Sequence, residues 1–142
     1  MRVDEMPVPS ESVEQQRLFM WARMEEGRFP ELKWLHHIAN EGKRSRAAGG
    51  RLKAEGLKKG VPDICLPISR GEYHGLYVEL KRQRGSTPTA EQCEWMEGLN
   101  QQGNCVCWCR GWEAAAKAIA DYLKRGKVVY TPTAGRGGEY HA

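Results

Sequence analysis

Two short apolar runs, Asp63 to Ile68 and Leu76 to Leu80, flank the turn-like segment Arg70-Gly71-Glu72. Runs of this length around such a turn read as the two strands of a hairpin, with Gly71 supplying the backbone freedom of the turn. This hairpin constrains the chain most because it carries charge at its open end. Asp63 follows Pro62 at the start of the first strand, and Glu79 and Lys81 stand two apart on the second. Side chains at i and i+2 share one face of a strand. If the strands pair, Asp63, Glu79 and Lys81 converge.

Two carboxylates and a lysine on one sheet face are costly to bury without a partner. A divalent cation between the carboxylates removes that cost. Carboxylates, a backbone carbonyl and waters suit Mg²⁺ or Mn²⁺. Such a site can hydrolyse a phosphodiester, because the cation polarises a phosphoryl oxygen and acidifies water. Lysine can orient or deprotonate the attacking water, or neutralise charge that develops on the phosphate. An acid-x-lysine taken alone is more simply a surface ion pair on an edge strand. Here it is joined by the Pro62-Asp63 step, an upstream helical glutamate, Glu14, and a downstream glutamine, Gln92. The combination favours the catalytic reading.

The surrounding pattern predicts helices on both sides of a mixed sheet. Ser12 to Gln15 has capping-box spacing, opening a helix to about Glu26 that stops near Gly27 and Pro30. Glu14, Leu18 and Trp21 share its face at i, i+4 and i+7, so Glu14 is at the edge of the stripe or aimed inward. Leu32 to Ala39 reads as a strand, Asn40 to Gly50 as a glycine-rich basic loop, and Arg51 to Lys58 as a short helix or turn ending at Gly60. Thr89 to Gln92 is a second capping box, for a helix to about Gln102 with Gln92, Trp95 and Leu99 on one face. Cys105 to Cys109 is a last strand, and Trp112 to Arg125 an alanine-rich helix. A length of 142 residues fits one domain that folds without disulfides. The expected division is a flexible leader over 1–10, a nuclease domain over 11–125 and a loose tail over 126–142.

Charge distribution says more than the net charge of +4. Between Gly42 and Lys59 lie seven cations, Lys43, Arg44, Arg46, Arg51, Lys53, Lys58 and Lys59, against one acid, Glu55. Such a patch is the footprint of a polyanion binder, although a charge run is also an ordinary solvated face. Cys105, Cys107 and Cys109 share a strand face but lack the spacing of a structural zinc pair. A buried strand accounts for them, since free cysteine behaves as a small hydrophobe. No apolar run is long enough to cross a bilayer. Met1 to Ser10 has no signal pattern, so the expected location is the cytoplasm.

At these residues the chain resembles the VRR-NUC domain family of PD-(D/E)xK nucleases. The resemblance rests on Asn40, Lys43-Arg44, Lys53-Ala54-Glu55-Gly56-Leu57, Gly60-Val61-Pro62-Asp63 and His74-Gly75-Leu76-Tyr77-Val78-Glu79-Leu80-Lys81. Gln92 and Trp95 match the family's glutamine-bearing helix, and Glu14-Gln15 with Trp21 its first helix. The resemblance implies an α/β restriction-endonuclease-like core, a mixed β-sheet flanked by helices. It implies metal binding by Asp63, Glu79, the carbonyl of Leu80 and Glu14, with Lys81 as the catalytic lysine and Gln92 supporting the site. Asn40 and the cations from Lys43 to Lys59 become the DNA-binding segment. Family members act on branched or flapped DNA, and short stand-alone copies, common in phages and prophages, include homodimers that resolve four-way junctions. A bacterial host cell is the location this implies.

Two other classes compete: a non-catalytic nucleic-acid-binding protein that keeps the nuclease fold, and an interaction protein whose basic loop is merely solvated. A binding module would not need Asp63, Glu79 and Lys81. His36 and His37 are expected to face opposite ways on their strand, in structural roles, and His74 to lie near the site. Trp21, Trp34, Trp95, Trp108 and Trp112 could stack on bases, but Trp21, Trp95 and Trp108 are expected in the core. The surroundings of Trp34 and the Trp112 helix are candidate dimer faces.

Overall fold

The computed structural model describes residue 2, residues 6–39 and residues 46–127. The first helix, α1, spans Glu11–Glu25. Its cap is Ser10, not Ser12: the Ser10 hydroxyl accepts from the Val13 N–H at 3.2 Å. Ser12 lies two residues inside, within the first turn, and accepts instead from the Gln16 amide. Glu14, Leu18 and Ala22, four residues apart, form the buried stripe, with Trp21 half-buried beside it.

The strand expected over 32–39 is mostly absent. Pro30–Trp34 forms a 3-10 helix, and only His36–His37 is strand, β1. Pro30 presets the first helical φ. Leu32 and Leu35 are both buried, and a separation of three is the 3-10 repeat. Burial of two leucines on one side outweighs the strand propensity of the segment. The two histidines of β1 pair with Cys65 and Ile64, so they face opposite ways as alternation suggests, but both are exposed and neither enters the core.

The helix α2, Arg46–Ala54, starts inside the segment expected to be loop. It ends as a Schellman motif. The Gly56 N–H bonds the Lys53 carbonyl, the Leu57 N–H bonds the Leu52 carbonyl, and Gly56 takes φ +105°. Asn40 and residues 41–45 of that segment lie outside the described residues. Gly60 then lets the chain pass α3. At φ +95°, a Cβ there would stand 2.8 Å from the Glu91 carbonyl oxygen.

The hairpin forms as expected, from β2 (Ile64–Leu66) and β3 (Leu76–Lys81). The sheet runs β1-β2-β3-β4, with β4 at Cys105–Arg110. The first two pairings are antiparallel and the last is parallel, so the sheet is mixed. Between β3 and β4 lies α3, Ala90–Gln101, opened by the Thr89–Gln92 capping box. The last helix, α4, spans Trp112–Leu123.

One sheet face carries Ile64, Leu66, Leu76, Val78, Leu80 and Cys109 into a core completed by α1 and α4. The pairing of Cys105, Cys107 and Cys109 with Leu76, Val78 and Leu80 puts all three thiols on this face, as a buried strand requires. The opposite face carries Tyr77, Glu79 and Lys81, with α3 over part of it. Trp108 is on that face and 41% exposed, so it is not a core residue. At the far end of the hairpin Arg70 is buried against Glu31 and the Leu123 carbonyl. Lys127 pairs there with Arg70 and the Gly126 carbonyl with the Gly71 N–H. The expected tail is therefore anchored at its first two residues, and 128–142 lie outside the described residues. Among the described residues no helix is long and apolar enough to cross a membrane.

The two serines make the cap testable. Ser10→Ala should lower the unfolding free energy by about 1 kcal/mol, and Ser12→Ala by about 0.5 kcal/mol or less, as read by urea denaturation.

Candidate active site

The register of the hairpin pairs Ile64 with Val78. One step further along both strands, Asp63 comes opposite Glu79, and opposed residues point to the same face. Asp63 is 9% exposed and Glu79 1%. The Leu80 N–H donates to Asp63 Oδ2 at 2.9 Å, which ties the first carboxylate to the backbone of the second strand. β1 holds Asp63 from the other side. The Ile38 N–H donates to its carbonyl at 2.6 Å, and His37 Nδ1 lies 2.9 Å from the same oxygen. A carbonyl can only accept, so this nitrogen of His37 carries the proton.

Glu79 is held from α3. Gln92 Nε2 donates to Glu79 Oε1 at 2.9 Å, while Gln92 Oε1 accepts from the Thr89 N–H at 2.9 Å. The glutamine that closes the capping box therefore also positions the carboxylate. Lys81 Nζ stands 3.5 Å from the same Oε1 and 3.9 Å from Glu11 Oε1. Its side chain is 6% exposed, an unusual depth for a lysine. Glu79 Oε2 is buried with no hydrogen-bond partner. Burial first, and then the charge of Asp63 and the hydrogen bond that a protonated Glu79 can make to it, push the Glu79 carboxyl up to about 8, with Lys81 opposing.

A divalent cation fits this arrangement. An orphaned carboxylate oxygen, a second buried carboxylate and the neighbouring Leu80 carbonyl form an all-oxygen donor set. Glu11, Ser12, Gln15, His37, Asp63 and Leu80 line a cleft of about 280 Å³ beside it. Among the described residues no three His, Cys, Asp or Glu side chains are already grouped as a metal cage.

Asp63, Glu79, Leu80, Lys81 and Gln92 are thus brought together. Glu14 is not brought to the carboxylate pair. It is wholly buried, but its Oε1 accepts from the Trp112 N–H at 3.4 Å and its Oε2 from Gln83 Nε2 at 3.2 Å. Gly111 gives α4 no side-chain cap, so Glu14 supplies one from α1, where its charge also suits the helix dipole. His74 lies at the opposite end of β3, against Gly103, away from the site.

Two residues at the cleft carried no signal of a site role in the sequence. Glu11 and His37 come from α1 and β1, and no spacing links either element to the hairpin, whereas Gln15 stood in the first-helix match. The basic segment leaves the sheet at Ile38 and returns at Asp63. Of its cations, Arg51, Lys53, Lys58 and Lys59 are exposed on α2 and the turn after it, with Lys59 3.7 Å from Glu91. Lys43 and Arg44 lie outside the described residues, as does the side chain of Arg46. A larger groove of about 460 Å³ runs along α3 past Trp95 and Leu99, and none of the carboxylate-site residues lines it.

The model of the VRR-NUC domain matches residues 8–113. A solved structure of a VRR_NUC domain protein is 28% identical, covering 86% of this chain and 94% of that one with a TM-score of 0.74. Comparison with curated proteins finds no match.

The raised carboxyl makes metal-free stability depend on pH. Glu79 keeps its proton in the fold where the unfolded chain has lost it. That contribution is complete below 4.5 and is lost as pH rises through about 8. Melting of the metal-free protein should fall between about pH 5 and pH 8, and Glu79→Gln should flatten the slope. Added Mg²⁺ or Mn²⁺ should raise the melting temperature most at the alkaline end.

Proposed function

The chain belongs to the VRR-NUC domain family of nucleases, and from that premise we propose that it is a divalent-metal-dependent DNA endonuclease acting on branched DNA. The observation that carries the reading is the buried, unpaired Glu79 Oε2 beside Asp63. A carboxylate buried this way needs a proton or a cation, and Lys81 alone engages only its other oxygen.

Asp63, Glu79 and the Leu80 carbonyl would hold Mg²⁺ or Mn²⁺. When bound, the cation supplies Lewis-acid stabilisation of the phosphoryl oxygens and acidifies water. The remaining work falls to the chain. Gln92 fixes Glu79 Oε1 and leaves Oε2 without a donor, so that this oxygen would be the one to hold the cation. The Leu80 N–H fixes Asp63 Oδ2 and leaves Oδ1 for ligation. Lys81, at 3.5 Å from Glu79, is placed to orient the attacking water and to offset charge on the phosphate. Glu11 restrains the ammonium from the far side. The cations of α2 and its turn, Arg46 among them, with Asn40, Lys43 and Arg44 before them, would follow the phosphate backbone and set register without reading sequence.

The enzyme acts as a homodimer. The chain holds one Asp63-Glu79-Lys81 set, and resolving a four-way junction takes two cuts on opposed strands. A two-fold axis supplies the second site at a fixed separation.

Purified protein should cut flap, splayed-arm or four-way-junction DNA with Mg²⁺ or Mn²⁺, and chelation should stop it. Cleavage at full rate in EDTA would sink the metal-dependent reading. Asp63→Ala and Glu79→Ala should reduce cleavage by at least about a hundredfold while DNA binding, measured by fluorescence anisotropy, stays within about threefold. A variant cutting at the wild-type rate would remove that residue from the site.

Replacing Lys43, Arg44, Arg46 and Arg51 together with alanine should weaken binding and flatten its salt dependence, because fewer counterions are released. An unchanged salt slope would take these residues off the DNA. Mixed active and Lys81→Ala subunits should lose paired junction cuts faster than single nicks. A monomeric mass by light scattering, with paired cuts no more frequent than independent nicking gives, would overturn the dimer.

A further inference from the structure

The parallel register of β3 and β4 pairs Glu79 with Trp108 and Lys81 with Arg110. Paired residues on neighbouring strands send their side chains to the same face, and the strands lie about 4.8 Å apart. Trp108 and Arg110 therefore stand on the carboxylate face, one strand outward from Glu79 and Lys81. Trp108 is 41% exposed, although it neighbours a glutamate that is 1% exposed.

An isolated exposed aromatic is ordinary. This one is not isolated. The Arg110 guanidinium lies 5.1 Å from the indole centroid, within cation–π range. Arg110 Nη1 donates to the Ser86 carbonyl at 2.8 Å, so the guanidinium is tethered and not free to leave the ring. Arg82, next in sequence to Lys81, is exposed as well.

We propose that Trp108, backed by Arg110, is a stacking platform for an unpaired nucleobase beside the phosphate that reacts at the Asp63-Glu79-Lys81 site, and so a specificity-determining residue for DNA with a single-stranded segment at the cleavage site. The proposal rests on the nuclease reading above and names the substrate feature that the same site recognises. Every base offers a π-face, so an indole stacks without regard to sequence. In a continuous duplex both faces of each internal base are already covered by its neighbours. Only an unpaired base can turn out of the stack and offer a face beside the cleavage site, so the platform rewards a branch, flap or frayed end over intact duplex. The adjacent guanidinium adds its charge for the neighbouring phosphate and its cation–π contact to the ring. Two strand spacings put Trp108 about 10 Å from the Asp63 position, within reach of a nucleotide close to the scissile one.

The test compares Trp108→Leu with Trp108→Phe in the full chain. Both keep apolar bulk, and only the second keeps a π-face. Binding is measured by anisotropy without added divalent cation, on a blunt duplex, a splayed arm of the same length and the single strand alone. Trp108→Leu should weaken splayed-arm and single-strand binding about tenfold and leave the blunt duplex within about twofold. Trp108→Phe should recover most of the loss. 2-Aminopurine at the first unpaired position of the arm should be quenched by wild type and by Trp108→Phe, and less by Trp108→Leu.

Equal losses on all three DNAs, or Phe and Leu variants that behave alike, overturn the platform while leaving the nuclease reading intact. Wild-type protein that binds none of the three DNAs and cuts none of them with Mg²⁺ or Mn²⁺ overturns both. Near-equal melting temperatures for the two variants show that the comparison reads stacking and not folding.

Discussion

The structure turns on two carboxylates facing each other across an antiparallel hairpin. Asp63 and Glu79 are 9% and 1% exposed, and like charges so close and so dry cannot both remain ionised without compensation. The neighbourhood supplies part of it. Leu80 donates to Asp63, Gln92 and Lys81 address one oxygen of Glu79, and the other oxygen is left without a partner. The surrounding elements each hold one piece of this arrangement. β1 grips the Asp63 carbonyl, the first turn of α3 presents Gln92, and α1 brings Glu11 to Lys81. The deficit at Glu79 Oε2 has the sign a cation satisfies.

That dependence explains which parts of the fold were legible in the sequence. The hairpin and the α3 cap are written locally. Alternation, the Gly71 turn and the Thr89-x-x-Gln92 spacing act within a few residues, and each forms where expected. The Cys105, Cys107, Cys109 face follows from the same two-residue period. By contrast, Ser10 and Ser12 both offer a hydroxyl ahead of the same helix, and local chemistry does not separate them. The stretch from Leu32 to Ala39 has the composition of a strand, but tertiary burial of Leu32 and Leu35 winds its first part into a 3-10 turn.

The site was legible in its chemistry and not in its full cast. Asp63, Glu79 and Lys81 declare themselves because acids and a lysine are out of place on a strand. Glu14 declares itself in the same way, yet its burial serves the uncapped start of α4. A buried carboxylate on a helix face signals a need for donors without saying which donors meet it. His37 and Glu11 carry no such anomaly, since both are ordinary exposed or half-exposed polar residues that matter only through what the fold sets beside them. Trp108 shows the converse. Alternation correctly opposes it to the cysteines, but α3 covers only part of its face, and the extent of that cover is a tertiary fact.

The charge arrangement follows from the same constraint. A site that must accept a polyanion has at its centre two groups that repel one. Lys81 lies 3.5 Å from Glu79, offsetting one charge in a low-dielectric setting where it counts most. Around the centre the exposed cations fall into two groups. Arg51, Lys53, Lys58 and Lys59 follow β1, and Arg82, Arg84 and Arg110 follow the ends of β3 and β4. Asp63 and Glu79 are buried while these cations are exposed, so the two signs of charge lie at different depths. The negative centre is small and dry, and a cation held there, as proposed above, would offset its charge. Attraction at long range and selectivity at short range are thereby assigned to different residues. The fold can keep its costly carboxylate pair because the rim does not depend on it.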